Sequence, residues 1–290
     1  MARGMTGKTA TASRAASGKT GNSKISGNYT TRDQAAGLRR LLGNIGPRVL
    51  PVAGGADGEE RAGVVVELAS AATAQGYSVV VLDQTRGQVA RILGLRPRYD
   101  LQHLLSGEKQ FEEVAVETGS GIRIVPATRG ITELAGQPEH ATSFFHAFAR
   151  LERPANLVIF NIEDPLTAAE LMPCVDAEVL LVANASAASI TGAYTHVKQM
   201  MNARGIANFR VLVGGVIDEV ESRLAFEKLA ATAGRFLRAR LELGGMVPGG
   251  EQARGRKTAD RAGVGRAYEH LIAGLPAWNL FESSANAATH

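Results

Sequence analysis

Two runs of apolar residues in this chain do not alternate with polar ones. Leu157-Val158-Ile159-Phe160 and Val179-Leu180-Leu181-Val182 put hydrophobic side chains on both faces of any strand they form. Such strands need cover on both sides, which in practice means helices above and below a parallel sheet. Strand-like segments at 48–53, 77–82, 122–126, 156–161, 178–183 and 209–214 alternate with helix-like ones at 58–75, 88–93, 100–105, 110–115, 140–151, 189–204 and 219–239. That order predicts an α/β fold: one doubly wound domain with a mainly parallel sheet over residues 47–250. At 290 residues, 45% of them hydrophobic, the chain can build a full core.

Charge is unevenly placed. Of 32 basic residues, Arg3, Lys8, Arg14, Lys19 and Lys24 fall within residues 1–29, where there is no acid. The rest holds 27 basic against 28 acidic side chains. The tail is rich in Gly, Ser, Thr and Ala, has little to bury, and is expected to be disordered. Nucleic acid is not expected to bind except through that tail. Ser17-Gly18-Lys19-Thr20 mimics the end of a phosphate-binding loop, but Ser13 replaces its first glycine and no strand precedes it. The lone Cys174 excludes an intrachain disulfide framework and reads as a buried apolar residue. No run of 18 apolar residues and no apolar leader segment is present, so neither a transmembrane helix nor a secretory signal is expected. The histidines show no metal spacing, and no metal site is expected.

Residues 30–46 read as a short helix and linker. Thr31 with Gln34 suits a capping box, and Asp33 suits the positive end of the helix dipole. Ala35, Leu38, Leu41 and Leu42 share a face opposite Arg39 and Arg40, and Gly43 can end the helix. Residues 251–290 read as a C-terminal helix and loose tail. There Tyr268, Leu271, Ile272 and Leu275 are expected to pack on the core, with membrane contact weak.

The segment after the first strand, Gly54-Gly55-Ala56-Asp57-Gly58-Glu59-Glu60-Arg61-Ala62, stands where a phosphate-binding loop belongs. Such a loop needs free backbone N–H groups, a lysine for the phosphates and a hydroxyl for Mg²⁺. Arg61 stands in place of the lysine and Ala62 in place of the hydroxyl, with Glu59 and Glu60 where an anion would dock. Glu60 is expected to pair with Arg61.

Asp33-Gln34-Ala35-Ala36-Gly37-Leu38-Arg39 resembles the DQAxxLR motif of the FlhG (FleN) family, MinD/ParA-type ATPases that control flagellar number and placement. The resemblance extends through Leu93-Gly94-Leu95-Arg96-Pro97, Ile124-Val125-Pro126-Ala127, Ser189-Ile190-Thr191-Gly192-Ala193-Tyr194 and Phe226-Glu227-Lys228-Leu229. It implies the MinD/ParA-like P-loop NTPase fold. The family's KGGVGKT loop falls on Ala56 to Ala62, its DADLG on Asp83-Gln84-Thr85-Arg86-Gly87, and its Walker B aspartate on Asn161. Its base-recognising asparagine falls on Gly214 or Gly215.

Phosphoryl transfer depends on positioned charge, and these changes strike it at several points together. The expectation is an ATPase-impaired or non-catalytic regulator with no catalytic residues and no cofactor. Gly55, Gly58, Arg61, Asp83 and Gly87 are the vestigial positions for ATP and Mg²⁺ if any binds. The resemblance implies contact with an FlhF-type signal-recognition GTPase through Asp33, Gln34, Leu38 and Arg39. It also implies contact with a flagellar transcriptional activator or basal-body proteins, and a cytoplasmic location with recruitment to the cell pole or inner membrane. The alternatives are an atypical but active ATPase using Arg61 and Asp83, and a ParA-like scaffold that touches DNA through residues 1–29.

Overall fold

The structure, a computed structural model, describes residues 47–55, 57–172, 178–216, 218–247, 268–269 and 271–273. Among them, eight strands form one sheet in the order β3-β4-β2-β5-β1-β6-β7-β8. β1 (Arg48–Gly54), β2 (Val79–Asp83), β4 (Arg123–Pro126), β5 (Leu157–Asn161), β6 (Glu178–Ala183), β7 (Asn208–Val213) and β8 (Arg240–Met246) run parallel. Only the two-residue β3 (Val116–Glu117) is antiparallel. This is the doubly wound sheet that the apolar runs predict.

Those runs divide between the faces as expected. Leu157, Ile159, Leu180 and Val182 join the core beneath the helix α1 (Gly58–Ala74). Val158, Phe160, Val179 and Leu181 join the opposite core, under the helices α5 (Thr128–Ala135), α6 (Ala141–Ala147), α7 (Pro165–Glu170), α8 (Ala187–Arg204) and α9 (Glu219–Leu237). The shorter helices α2 (Gln88–Ile92), α3 (Leu101–Leu105) and α4 (Phe111–Val114) lie between β2 and β3 in the chain. Tyr268, Leu271 and Ile272 are buried in the α1-side core, and Gln75 Nε2 donates to the Glu269 carbonyl at 3.0 Å. The core-packing reading of these residues holds.

The helical segment 140–151 is shorter than its pattern suggests, since α6 passes into a 3₁₀ turn over Phe148–Arg150. Four elements escape the sequence pattern: β3, β8, α5 and α7. α5 carries Gly130, a poor helix former. A Cβ there would lie 2.6 Å from the Leu101 side chain and 2.7 Å from the Gln102 amide, so close approach of α3 requires the glycine.

β1 and β6 are neighbours whose connections leave in opposite directions, β1 toward β2 and β6 toward β7. In open α/β sheets that divergence is where ligands bind. The tail 1–29, residues 30–46 where the pattern predicts a helix and linker, Cys174, the stretch 248–267 and Leu275 lie outside the described residues.

Candidate functional site

The turn leaving β1 closes onto α8 across this crevice. A Cβ on Gly55 would lie 1.9 Å from the Ser189 carbonyl oxygen and 2.1 Å from the Ala193 amide, both main chain. The turn therefore packs backbone to backbone against α8, with Gly192 on the other side of the contact. Asp57 caps α1, its Oδ1 accepting from the Glu60 amide at 2.8 Å. One of the helix-start N–H groups that would face a phosphate is thereby taken by an internal carboxylate. Gly58 opens α1, and a Cβ there would meet Gln88 Oε1 at 2.5 Å.

Arg61 is buried at 2% exposure. Its Nε donates to Asn161 Oδ1 at 3.2 Å and its Nη1 to the Gly54 carbonyl at 3.4 Å, while Nη2 bonds and pairs with the Glu163 carboxylate. The guanidinium fork thus spans the ends of β1 and β5. The expected Glu60–Arg61 pair is not formed. Adjacent residues on a helix point about 100° apart and do not face each other, so Arg61 turns to the sheet and Glu60 turns away. Burial pulls the Arg61 guanidinium below its ordinary value, against the stabilising charges of Glu163, Asp83 and Asp57.

Asp83 is fully buried at the end of β2. It accepts from the Thr85 amide at 3.0 Å, the Thr85 hydroxyl, the Val89 amide at 3.2 Å and Asn161 Nδ2 at 3.0 Å. Its two oxygens are satisfied by protein donors. Asn161 suits this place because an amide presents one acceptor to Arg61 and one donor to Asp83. Gln84 braces the neighbouring turn, its Oε1 accepting from the Glu163 amide at 2.9 Å and the Asp164 amide at 3.1 Å. Gly87 has φ +80 and begins α2, a conformation glycine adopts without strain.

Glu60 turns to the β6 end, where Asn184 Nδ2 donates to its Oε2 at 2.9 Å. A Cβ at Gly214 would lie 2.6 Å from Glu60 Oε1. Any side chain at Gly214 would therefore displace the carboxylate. Glu59 reaches Arg91 across solvent at 3.3 Å. On α8, His196 is pushed down to about 4, first by burial and then by the Arg61 charge, with Asp164 opposing. Its buried Nδ1 has no hydrogen-bond partner.

The vestigial positions Gly55, Gly58, Arg61, Asp83 and Gly87 thus share one edge of the sheet. Asp33, Gln34, Leu38 and Arg39 lie outside the described residues, as does Ala56. Sequence reading misses the parts played by Glu163, Asn184, Gln84 and His196. The one available signal is Asp164-Pro165, an N-cap before a proline that starts α7 and fixes Glu163 in the turn. Among the described residues, no cluster of three or more His, Cys, Asp or Glu could hold a metal ion, and no helix is long and apolar enough to cross a membrane.

No family model matches the chain. The antiactivator FleN of Pseudomonas aeruginosa is 30% identical over 233 residues, covering 77% of this chain and 81% of that protein. Among solved structures, a chain of the MinC:MinD cell division protein complex of Aquifex aeolicus is 17% identical with a TM-score of 0.56, over 79% of this chain and 98% of that one. The cell division ATPase MinD of Pyrococcus furiosus is also 17% identical, with a TM-score of 0.55 over 79% of this chain and 99% of its own. The structural likenesses establish the fold, and the sequence match establishes the kinship: this chain belongs to the FleN (FlhG) family of MinD/ParA-type proteins.

Proposed function

We propose that this chain regulates flagellar number or placement by contact with other proteins, on a P-loop scaffold that no longer takes up or hydrolyses ATP. The observation that carries the second half is the bonding of Arg61: three of its nitrogens are directed to Asn161, Gly54 and Glu163. Bound Mg-ATP needs an ammonium on its phosphates, a hydroxyl and a carboxylate near the metal, and open backbone amides. Here the cation is turned inward, Ala62 has no hydroxyl and is fully buried, and Asn161 is neutral. Glu60 and Glu163 add negative charge beside the space a triphosphate would need. The residues present do not fit Mg-ATP, and no step of catalysis is assigned to them.

The regulatory half rests on membership in the FleN family. Its Pseudomonas aeruginosa member is an antiactivator, which supports restraint of a flagellar transcriptional activator. The DQAxxLR-like residues Asp33, Gln34, Leu38 and Arg39 support contact with an FlhF-type GTPase. In that contact the apolar side of the helix docks, Asp33 and Gln34 reach toward the partner's nucleotide site, and Arg39 fixes the register. The test is GTP turnover by the purified partner with the full-length chain added. Stimulation that Gln34→Ala removes supports the reading; no stimulation by either protein rejects this partner. Salt-steep DNA binding lost on deleting residues 1–29 would favour a DNA scaffold instead.

A further inference from the structure

At the same edge of the sheet, beside the P-loop region, a second cleft of about 470 Å³ opens between the ends of β2 and β4. Its lining includes Arg86, Arg98 and Arg129, with Tyr99, His103 and Thr128. We infer that this cleft is a binding site for a phosphorylated small molecule, a phosphomonoester or pyrophosphate ester, recognised by the three arginines.

The case starts from charge. Some exposed arginines among the described residues pair with acids, Arg91 with Glu59, Arg153 with Glu117, Arg204 with Glu170 and Arg223 with Glu219, while Arg96, Arg150, Arg235 and Arg238 do not and are no part of this cleft's lining. Among the described residues, Arg86, Arg98 and Arg129 enter no ion pair and no side-chain hydrogen bond. One acid, Asp100, lines the cleft with them. Its carboxylate is already committed: Oδ1 accepts from the Gln102 amide at 3.1 Å and the Gly130 amide at 2.9 Å, and Oδ2 from the Arg129 amide at 3.4 Å. The carboxylate caps the starts of α3 and α5 and sets one negative charge against three guanidiniums in the lining. With three arginines and one acid, the lining carries a net positive charge that an anion would complement.

The backbone points the same way. Arg86 is one of two non-glycine residues with positive φ, at 54°, a conformation that costs on the order of 1 kcal/mol. Asp83 holds that turn by accepting from the Thr85 amide and hydroxyl. The strained residue is one of those that line the cleft.

Size and lining select the class of ligand. The volume falls in the range of small-molecule sites, and planar guanidiniums match phosphate oxygens two at a time. Pro97, Pro126 and the Tyr99 ring offer apolar surface to an organic moiety, and Thr128 lies within the lining as a neutral hydroxyl. His103 is tied to the wall, its Nδ1 accepting from the Asp100 amide at 3.2 Å.

The experiment is isothermal titration of the full-length chain with inorganic pyrophosphate and, separately, with a poly-glutamate peptide. The expected result is saturable 1:1 binding of pyrophosphate with a dissociation constant below about 1 mM. Arg98→Gln and Arg129→Gln should each weaken it about tenfold, the scale of one charge-assisted contact. Arg153→Gln should leave it unchanged. Thermal melts should confirm that these exposed substitutions leave the fold intact. No saturable binding up to about 10 mM, or equal binding by the Arg86→Gln/Arg98→Gln/Arg129→Gln triple variant, overturns the inference. So does preference for the peptide, which would make the cleft a protein-docking surface. Binding lost in Arg61→Gln but kept in the triple variant would place the anion at the P-loop and overturn both this inference and the ATP-free reading.

Discussion

Arg61 and Asn161, a hundred positions apart in the chain, are joined by a buried hydrogen bond of 3.2 Å from Nε to Oδ1. In a working P-loop site these two positions hold a lysine aimed at phosphate and an aspartate that serves the metal. Here they bind each other. Asn161 passes the connection on to Asp83 through Nδ2 at 3.0 Å, so the ends of β1, β5 and β2 are fastened by side chains that need no ligand between them.

Removing the guanidinium should destabilise the fold itself. Arg61→Met leaves Asn161 Oδ1, the Gly54 carbonyl and Glu163 without their donor, and should lower unfolding free energy by about 3 kcal/mol. Glu163→Gln should cost only about 1 kcal/mol, because that side chain is 53% exposed. Urea denaturation of both variants checks the ranking. An Arg61→Met protein as stable as the parent would mean that the network is incidental.

Asn161→Asp puts a second carboxylate beside Asp83. The pair repels, so the folded state holds a proton more tightly than the unfolded chain does. The variant should be less stable than the parent by about 2 kcal/mol near pH 8 and should recover as pH falls toward 5. A pH-independent difference would contradict the close approach of these two groups.

The glycines beside the site should respond differently. Gly55→Ala drives a methyl group into main-chain atoms of α8 and should cost about 3 kcal/mol or abolish folding. Gly214→Ala meets only the movable end of Glu60. It should cost about 1 kcal/mol by displacing the Asn184 contact, and Glu60→Ala should erase most of that cost. A double-mutant cycle by thermal melting reads the coupling directly.

His196 should tie stability to pH. Its folded value near 4 lies below the ordinary 6.5. The unfolded chain therefore binds the extra proton first, and stability present above pH 6.5 is lost as pH falls toward 4. Allowing for its partial exposure, the loss should be about 2 kcal/mol. His196→Gln should flatten that part of the stability-versus-pH curve relative to the parent. An unchanged slope would show that carboxylates alone govern this range.

The sheet is legible in the sequence because strands buried on both faces leave an unambiguous apolar signature, as in Leu157 to Phe160. β8 is harder to read: it is an edge strand, half-buried, and the extra Gly244 interrupts its pairing near Leu212. α7 hides because it has only six residues, and its start is marked by Asp164-Pro165 rather than by any periodicity. At the candidate site, the absence of lysine, hydroxyl and acid can be read position by position. The replacement bonds cannot, because Arg61 meets Glu163, and Glu60 meets Asn184, over separations of 102 and 124 residues that only the sheet order brings together. The helix pattern alone argues against pairing Glu60 with Arg61, since neighbours in a helix face different directions.

The most direct measurement is isothermal titration of the purified full-length chain with ATP in the presence of Mg²⁺. With Arg61 turned toward Asn161, Gly54 and Glu163, no saturable heat is expected up to about 1 mM nucleotide. A dissociation constant in the micromolar range, abolished by Arg61→Gln, would contradict the account and restore this chain to the working ATPases.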